Sequence, residues 1–268
     1  MQVKYVSTNK SASLSYRVLG QGKPIVLLHG FPISGALWTD VWNELARNFM
    51  VLVPDLPGVG NSDAMTNLTM RKMADAVMQM LDNEGVAEVV IAGHSMGGYV
   101  ALELASAYPD AVKGLVMVHS IASADTEEKK EQRRKAIALI EKGGKDAFVK
   151  QMIPTLFSDT TISQQPDVVE IQLKEALKTP SESLVAFYNA MINRENHVKL
   201  LQEAAFPLLW IAGAGDKLIA KEKIIQQTIL SSVNFVKVYV YSGHMSMLEE
   251  PSKFVNDMTD FLKYCHEK

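Results

Sequence analysis

Apolar and polar residues follow two different rhythms along this chain. Residues 3–7 and 13–19 alternate the two kinds around Asn9-Lys10-Ser11, a turn-forming trio, which predicts a hairpin at a sheet edge. Beyond the hairpin the apolar runs become short and continuous, at residues 25–28, 50–53, 89–92, 115–118 and 208–211. Runs of that kind suit parallel strands buried on both faces. Residues 235–240 alternate more and read as an outer strand. Helical periodicity fills the intervals, at roughly residues 37–47, 69–83, 99–107, 220–230 and 252–264. Strand and helix in alternation predict an α/β protein with a doubly wound, mostly parallel eight-stranded sheet and helices on both faces. Its ligands are expected beyond the carboxyl ends of the strands.

One interval breaks the rhythm. Residues 121–197 contain no strand pattern, only amphipathic stretches near 136–142, 168–177 and 181–192 and a charged run at 127–135. A single crossover rarely needs so many residues. The interval therefore predicts a helical cap at residues 122–196 over the strand ends, with residues 1–121 and 197–268 forming the core. The charged run reads as a solvated helix face, not a binding patch.

Composition narrows the function classes. The 268 residues, 47% of them hydrophobic, are ample for one large core, and 27 Lys and Arg against 30 Asp and Glu give a net charge of −3. Such a balance offers no basic stripe for nucleic acid and no polybasic tract for anionic lipid. The first ten residues read as a polar strand, not a charged leader, and no apolar run reaches membrane-spanning length. The expectation is a cytoplasmic protein with no nucleic-acid partner and no membrane insertion; the oligomeric state stays open. Cys265, the sole cysteine, excludes an internal disulfide and a cysteine-based metal site.

Chemistry enters at Gly93-His94-Ser95-Met96-Gly97, a G-x-S-x-G pattern placed directly after the run at 89–92. Between a buried strand and a helix this pattern forces a sharp turn that lifts the serine hydroxyl out of the sheet. A hydroxyl is a poor nucleophile without a base, an acid to orient the base, and donors for the oxyanion. The base is expected at His244, in Ser242-Gly243-His244 behind the last strand, since free histidine titrates near pH ~6.5. The orienting acid is expected at Asp216, in Gly213-Ala214-Gly215-Asp216 at another strand end, with Asp125 as the alternative. His29-Gly30-Phe31-Pro32 follows the run at 25–28, where one oxyanion amide belongs, so the donors would be the amides of Phe31 and Met96. His29 reads as a brace for this loop. Residues 55–62 lack the third glycine of a dinucleotide fingerprint and the Gly-Lys-Ser/Thr of a P-loop, and so read as a tight loop.

These motifs, in the chain order serine, acid, histidine, resemble the α/β-hydrolase fold serine hydrolases over nearly the whole chain. The resemblance is to the capped group of carboxylesterases, carbon–carbon bond hydrolases and cofactor-free haloperoxidase or perhydrolase relatives. Ser95 stands where the haloalkane dehalogenase and epoxide hydrolase members carry aspartate, which argues for acyl transfer. The resemblance implies cleavage of a small, largely apolar ester through an acyl-enzyme, with no metal or organic cofactor. Trp38, His119 and Met245 are expected to line an adaptable apolar pocket. Carbon–carbon hydrolysis, perhydrolysis or a ligand-binding signalling role with little turnover would use much the same residues.

Overall fold

The computed structural model describes residues 2–8 and 12–267; the expected hairpin turn at 9–11 lies outside them. Its strands are β1 (Val3–Thr8), β2 (Ala12–Leu19), β3 (Lys23–Leu28), β4 (Phe49–Pro54), β5 (Val89–His94), β6 (Val112–Val118), β7 (Leu208–Gly213) and β8 (Asn234–Tyr239). They form one eight-stranded sheet in the order β1-β2-β4-β3-β5-β6-β7-β8. β1 pairs with β2 and β2 with β4 antiparallel, and every other pairing is parallel. Every residue of β5 and β7 is buried, whichever way its side chain points, so helices cover both faces. The edge strand β8 is only partly buried, in keeping with its alternation.

The helices are α1 (Thr39–Leu45), α2 (Met70–Asn83), α3 (Met96–Ala107), α4 (Glu127–Leu139), α5 (Lys145–Thr155), α6 (Asp159–Gln164), α7 (Pro166–Leu177), α8 (Ser181–Ile192), α9 (Val198–Glu203), α10 (Lys221–Thr228), α11 (Ser246–Glu249) and α12 (Pro251–Glu267). α2 begins where Thr69 accepts from the Lys72 amide at 3.1 Å, an N-cap that satisfies one orphan donor. The single helix expected at 37–47 is instead a 3₁₀ turn, Gly35–Trp38, followed by α1. Its first turn is pulled out of α geometry from outside: the Gly35 amide donates to the buried Asp55 carboxylate at 2.9 Å. The same carboxylate organises the loop at 55–62 by accepting from Ser15 at 2.9 Å and from the Asn61 amide at 3.2 Å.

Between β6 and β7 the described chain is helical, α4 to α9. The two ends of this stretch meet, because the His197 amide donates to the Ala122 carbonyl at 2.9 Å. α5 and α6 went unread in the sequence, being short and weakly amphipathic. Several polar bonds tie these helices to loops at the carboxyl ends of strands: Thr179 to the Pro32 carbonyl at 2.7 Å, and His244 N–H to the Leu156 carbonyl at 2.7 Å. Among the described residues no helix is long and apolar enough to cross a membrane. Cys265 packs as a hydrophobe, 3% exposed, and burial pushes its thiol up to about 12.

Candidate active site

Ser95 joins β5 to α3 with φ 51 and ψ −113, a left-handed conformation that costs about 1–3 kcal/mol for a residue with a Cβ. Two glycines make the turn possible. A Cβ on Gly93 would strike the Gly97 backbone, and one on Gly97 would strike the Leu28 carbonyl. Three bonds then hold the strained residue: Ser95 N–H to Val118 O at 2.9 Å, Gly98 N–H to Ser95 O at 2.9 Å, and Ser120 O–H to Ser95 O at 2.8 Å.

His244 and Asp216 meet on the loops after β8 and β7. The His244 Nδ1–H donates to Asp216 Oδ2 at 2.7 Å, and the acid's other oxygen accepts the Leu218 and Ile219 amides at 2.8 and 3.0 Å. His119 donates to Asp216 Oδ2 as well, at 3.2 Å, and its Nε2 accepts from the Ser246 hydroxyl at 2.9 Å. An ionised carboxylate only accepts, so both histidines carry their proton on Nδ1. With Nδ1 committed to Asp216, the acceptor atom left to His244 is Nε2, which is buried and has no hydrogen bond among the described residues. Burial would raise the Asp216 pKa, but the facing His244 and the bonds from His119 and His244 overcome it and hold the carboxyl far below the usual range. Burial also lowers His119, and it lowers His94 still more, with His244 and His119 adding to the effect. Neutral His94 donates from Nε2 to the His244 carbonyl at 2.8 Å, steadying the loop from below.

Glu249 is a further part of this assembly that sequence reasoning missed. Its Oε1 accepts the Gly243 and Met245 amides at 2.8 and 3.1 Å, while Oε2 accepts from the Ser158 amide at 2.9 Å and the Thr161 hydroxyl at 2.7 Å. One buried carboxylate thus fastens the His244 loop to α6. Its position five residues past the histidine, on α11, was the available signal.

Ser95, His244 and Phe31 face one cavity of about 190 Å³, the volume share of roughly six waters. Met152, Leu156, Tyr188 and Met191 roof it, and Lys129 and Arg133 of α4 complete the wall. Most of residues 127–135 is the solvated face expected, but these two half-buried cations turn part of it to the cavity. Arg133 turns inward because it donates to Asp125 at 2.6 Å and lies 5.5 Å over the Tyr188 ring. Asp125, the alternative acid, is sealed by Arg133 and by Arg194, the latter at 2.6 Å, and forms no bond to His244. Burial would raise its pKa, yet the two guanidiniums hold it below the usual carboxylate range.

Three expected pocket residues lie elsewhere. Trp38 is fully buried against Phe254, with ring centroids 5.9 Å apart, and edge-on to His94. Met245 is likewise enclosed in the core, and His119 is consumed by Asp216 and Ser246 beneath the cavity. Phe31 does line the cavity, and its ring sits 4.5 Å from that of Tyr188. The Phe31 and Met96 amides hold no protein hydrogen bond among the described residues. His29 braces the loop as expected, accepting the Leu56 amide at 2.8 Å; burial keeps it below the ordinary histidine value. Among the described residues two side-chain groups have metal-ligand spacing: His119, Asp216 and His244, which spend those atoms on each other, and Glu103 of α3 with Glu195 and His197.

A sharp serine turn, a histidine–carboxylate pair and two free amides, with Ser95, His244 and Phe31 on one cavity, are an arrangement suited to acyl transfer. Known proteins agree in kind. A family model described as alpha/beta hydrolase fold matches residues 23–139. A thermophilic esterase from Thermogutta terrifontis, solved with malate bound, superposes with a TM-score of 0.94 at 29% identity, over 99% of this chain and 100% of its own. The pimeloyl-(acyl-carrier protein) methyl ester esterase of Pseudoalteromonas atlantica is 25% identical over 264 residues, 92% of this chain and 97% of the relative. The 3-oxoadipate enol-lactonase 1 of Acinetobacter baylyi is 24% identical over 262 residues, 96% of each. The chain has the α/β-hydrolase fold, and residues 23–139 carry that family's pattern. The chain is an enzyme similar to these esterases.

Proposed function

We propose that this enzyme hydrolyses small carboxylic esters through a covalent acyl-enzyme, with Ser95 as nucleophile, His244 as general base and Asp216 as its orienting acid. The observation that carries the reading is the 2.7 Å bond from His244 to Asp216, with His244 and Ser95 lining the same cavity. Ser95 Oγ bonds to the ester carbonyl carbon as its proton passes to His244 Nε2. The oxyanion so formed takes the amides of Phe31 and Met96. His244 then returns the proton to the alkoxide, which leaves as the alcohol. A water, deprotonated by His244, cleaves the acyl-serine to the free acid and restores Ser95. Residues 122–196 act in this reading as a cap whose roof over the cavity selects the substrate, and the buried Cys265 thiol suits a cytoplasmic setting.

Steady-state turnover of a short-chain aryl ester, with stoichiometric phosphonate labelling of Ser95, is the test. Ser95→Ala and His244→Ala should each lower kcat by about 10⁴ to 10⁶, with the double variant no worse, because members of such a unit are not additive. Turnover of about 1 s⁻¹ or faster is expected. A burst of one equivalent followed by nothing would reject hydrolysis and leave a binding protein.

A further inference from the structure

The ester cavity carries positive charge that the reaction above does not use. Lys129 lines it with Ser95 and His244, yet its ammonium has no hydrogen bond and no ion pair among the described residues. Lys129 is half-buried, so its charge has given up part of its hydration without gaining a partner, and an anionic group in the cavity would restore the balance. Its neighbours deepen the need. Burial first, then repulsion from Arg133, Lys223 and Arg194, lower the Lys129 pKa, and Asp125 alone opposes them. Asp125 is already divided between Arg133 and Arg194, one carboxylate for two guanidiniums, which leaves one positive charge over.

Lys129 also stands at a junction. A second cavity of about 500 Å³ shares Tyr99, Lys129, Arg133, Leu218 and Ile219 with the one at Ser95. Of the other ionisable groups on its wall, Glu128 and Lys223 cancel in formal charge and Asp125 is paired. The uncompensated charge therefore falls on Lys129 and on Arg133, which Arg194 competes with for Asp125, and Lys129 and Arg133 line both cavities. The cavity at Ser95 also has apolar lining, with Met152, Leu156 and Met191.

We propose that Lys129, backed by Arg133, is a carboxylate-binding subsite, and that the substrate is a short ester or lactone bearing a free carboxylate, which Lys129 holds while the scissile carbonyl meets Ser95. The proposal rests on the esterase reading and narrows it from neutral apolar esters to anionic ones. Arg133 is fixed by its bond to Asp125 and supplies field; Lys129 is a mobile point charge and supplies contact. The apolar side chains of the same cavity suit a short methylene chain joining carboxylate and ester.

Monomethyl glutarate and methyl pentanoate differ only in a carboxylate replacing a terminal methyl, and pH-stat titration follows both. The wild-type enzyme should favour the anionic ester by about tenfold or more in kcat/KM, the scale of one charge-assisted contact. The preference should shrink with added salt. Lys129→Met should bring the ratio toward one, chiefly through a raised KM for the anionic ester, Lys129→Arg should retain it, and Lys129→Glu should invert it. Equal or better use of methyl pentanoate by the wild type, or a ratio unmoved in Lys129→Met, overturns the subsite and leaves the esterase reading standing. Failure of the wild type to turn over either methyl ester or any aryl ester overturns both.

Discussion

The loops at the strand ends and the helices above them build one cavity by different physics. His244, Asp216 and Ser95 are each set by backbone bonds radiating from a parallel sheet, and the loops after β7 and β8 are stitched directly, Ala214 N–H to Tyr239 O at 2.8 Å and Gly215 N–H to Ser242 O at 3.0 Å. The helical roof is set by side chains: the Asp125 pairings, the Phe31–Tyr188 contact and the Glu249 tether. A sheet end fixes atoms to the accuracy that bond-making needs, whereas packed helices can change a lining residue without disturbing it. In the proposed mechanism, that difference assigns the chemistry to the sheet and the selectivity to the helices.

The contrast should be sharpest under acid. His29, His94 and His119 all belong to the sheet side, all are fully buried, and burial holds each below the ordinary histidine value. Below about pH 6.5 the unfolded chain therefore binds protons that the folded chain refuses. Their contribution is full above that pH and is lost as pH falls toward the folded values. The limiting slope is about 1.4 kcal/mol per pH unit for each group, so about 4 for the three. Asp216, whose carboxyl is depressed, adds a loss of the same sign only below about pH 4, leaving the window from 6.5 to 4 to the histidines. Urea midpoints at pH 7.5, 6 and 5 should fall steeply, and a flat series would mean that these rings are not held neutral.

The same contrast governs what could be read from the residues alone. Ser95, Asp216 and His244 were legible because each closely follows an apolar run, and a buried strand leaves its end in only one place. Five of the strands were legible for the same reason, and β1, β2 and β8 from the alternation of a half-exposed edge. Lys129 and Arg133 were not: α4 is charged nearly all round and none of its residues is fully buried, so no face is marked, and the partner that turns Arg133 inward, Tyr188, lies on α8. Trp38 and Met245 were misplaced because nearness in sequence to Phe31 and His244 says nothing of side-chain direction. His119 was placed at a strand end correctly, but its φ of 49, which no pattern announces, accompanies a side chain bonded to Asp216 rather than lining the cavity.

Glu249 joins the two regions, so cutting it asks how far the sheet end can hold His244 unaided. Glu249→Gln keeps the shape but replaces one accepting oxygen with a donor, which faces either the Gly243 and Met245 amides or Ser158 and Thr161. A buried donor left facing donors costs about 1–3 kcal/mol. We expect a fall in kcat of about ten- to a hundredfold, with KM little changed and a melting temperature lower by a few degrees. An unchanged kcat beside a lowered melting temperature would show that the sheet-end bonds alone fix His244, making the two regions more independent than the tether suggests.

The smallest expected effect tests the roof alone. Met152 and Met191 line the cavity from α5 and α8 without touching the sheet-end bonds, and Met152 is only partly buried. Trimming either to Ala enlarges the cavity by a few methylenes and removes apolar contact from a chain lying beneath it. One methylene of fit in an apolar pocket is worth about 1–3 kcal/mol at most, and a flexible roof that settles inward recovers part of it. Met152→Ala and Met191→Ala should therefore shift kcat/KM by several-fold in favour of longer acyl chains, with kcat on the best substrate nearly preserved. The measurement is kcat/KM across a series of aryl esters of increasing acyl length. A uniform loss at every length would mean that the roof positions the reacting atoms as the sheet does, and the division between chemistry below and selection above would fail at the place where it costs the enzyme least to keep it.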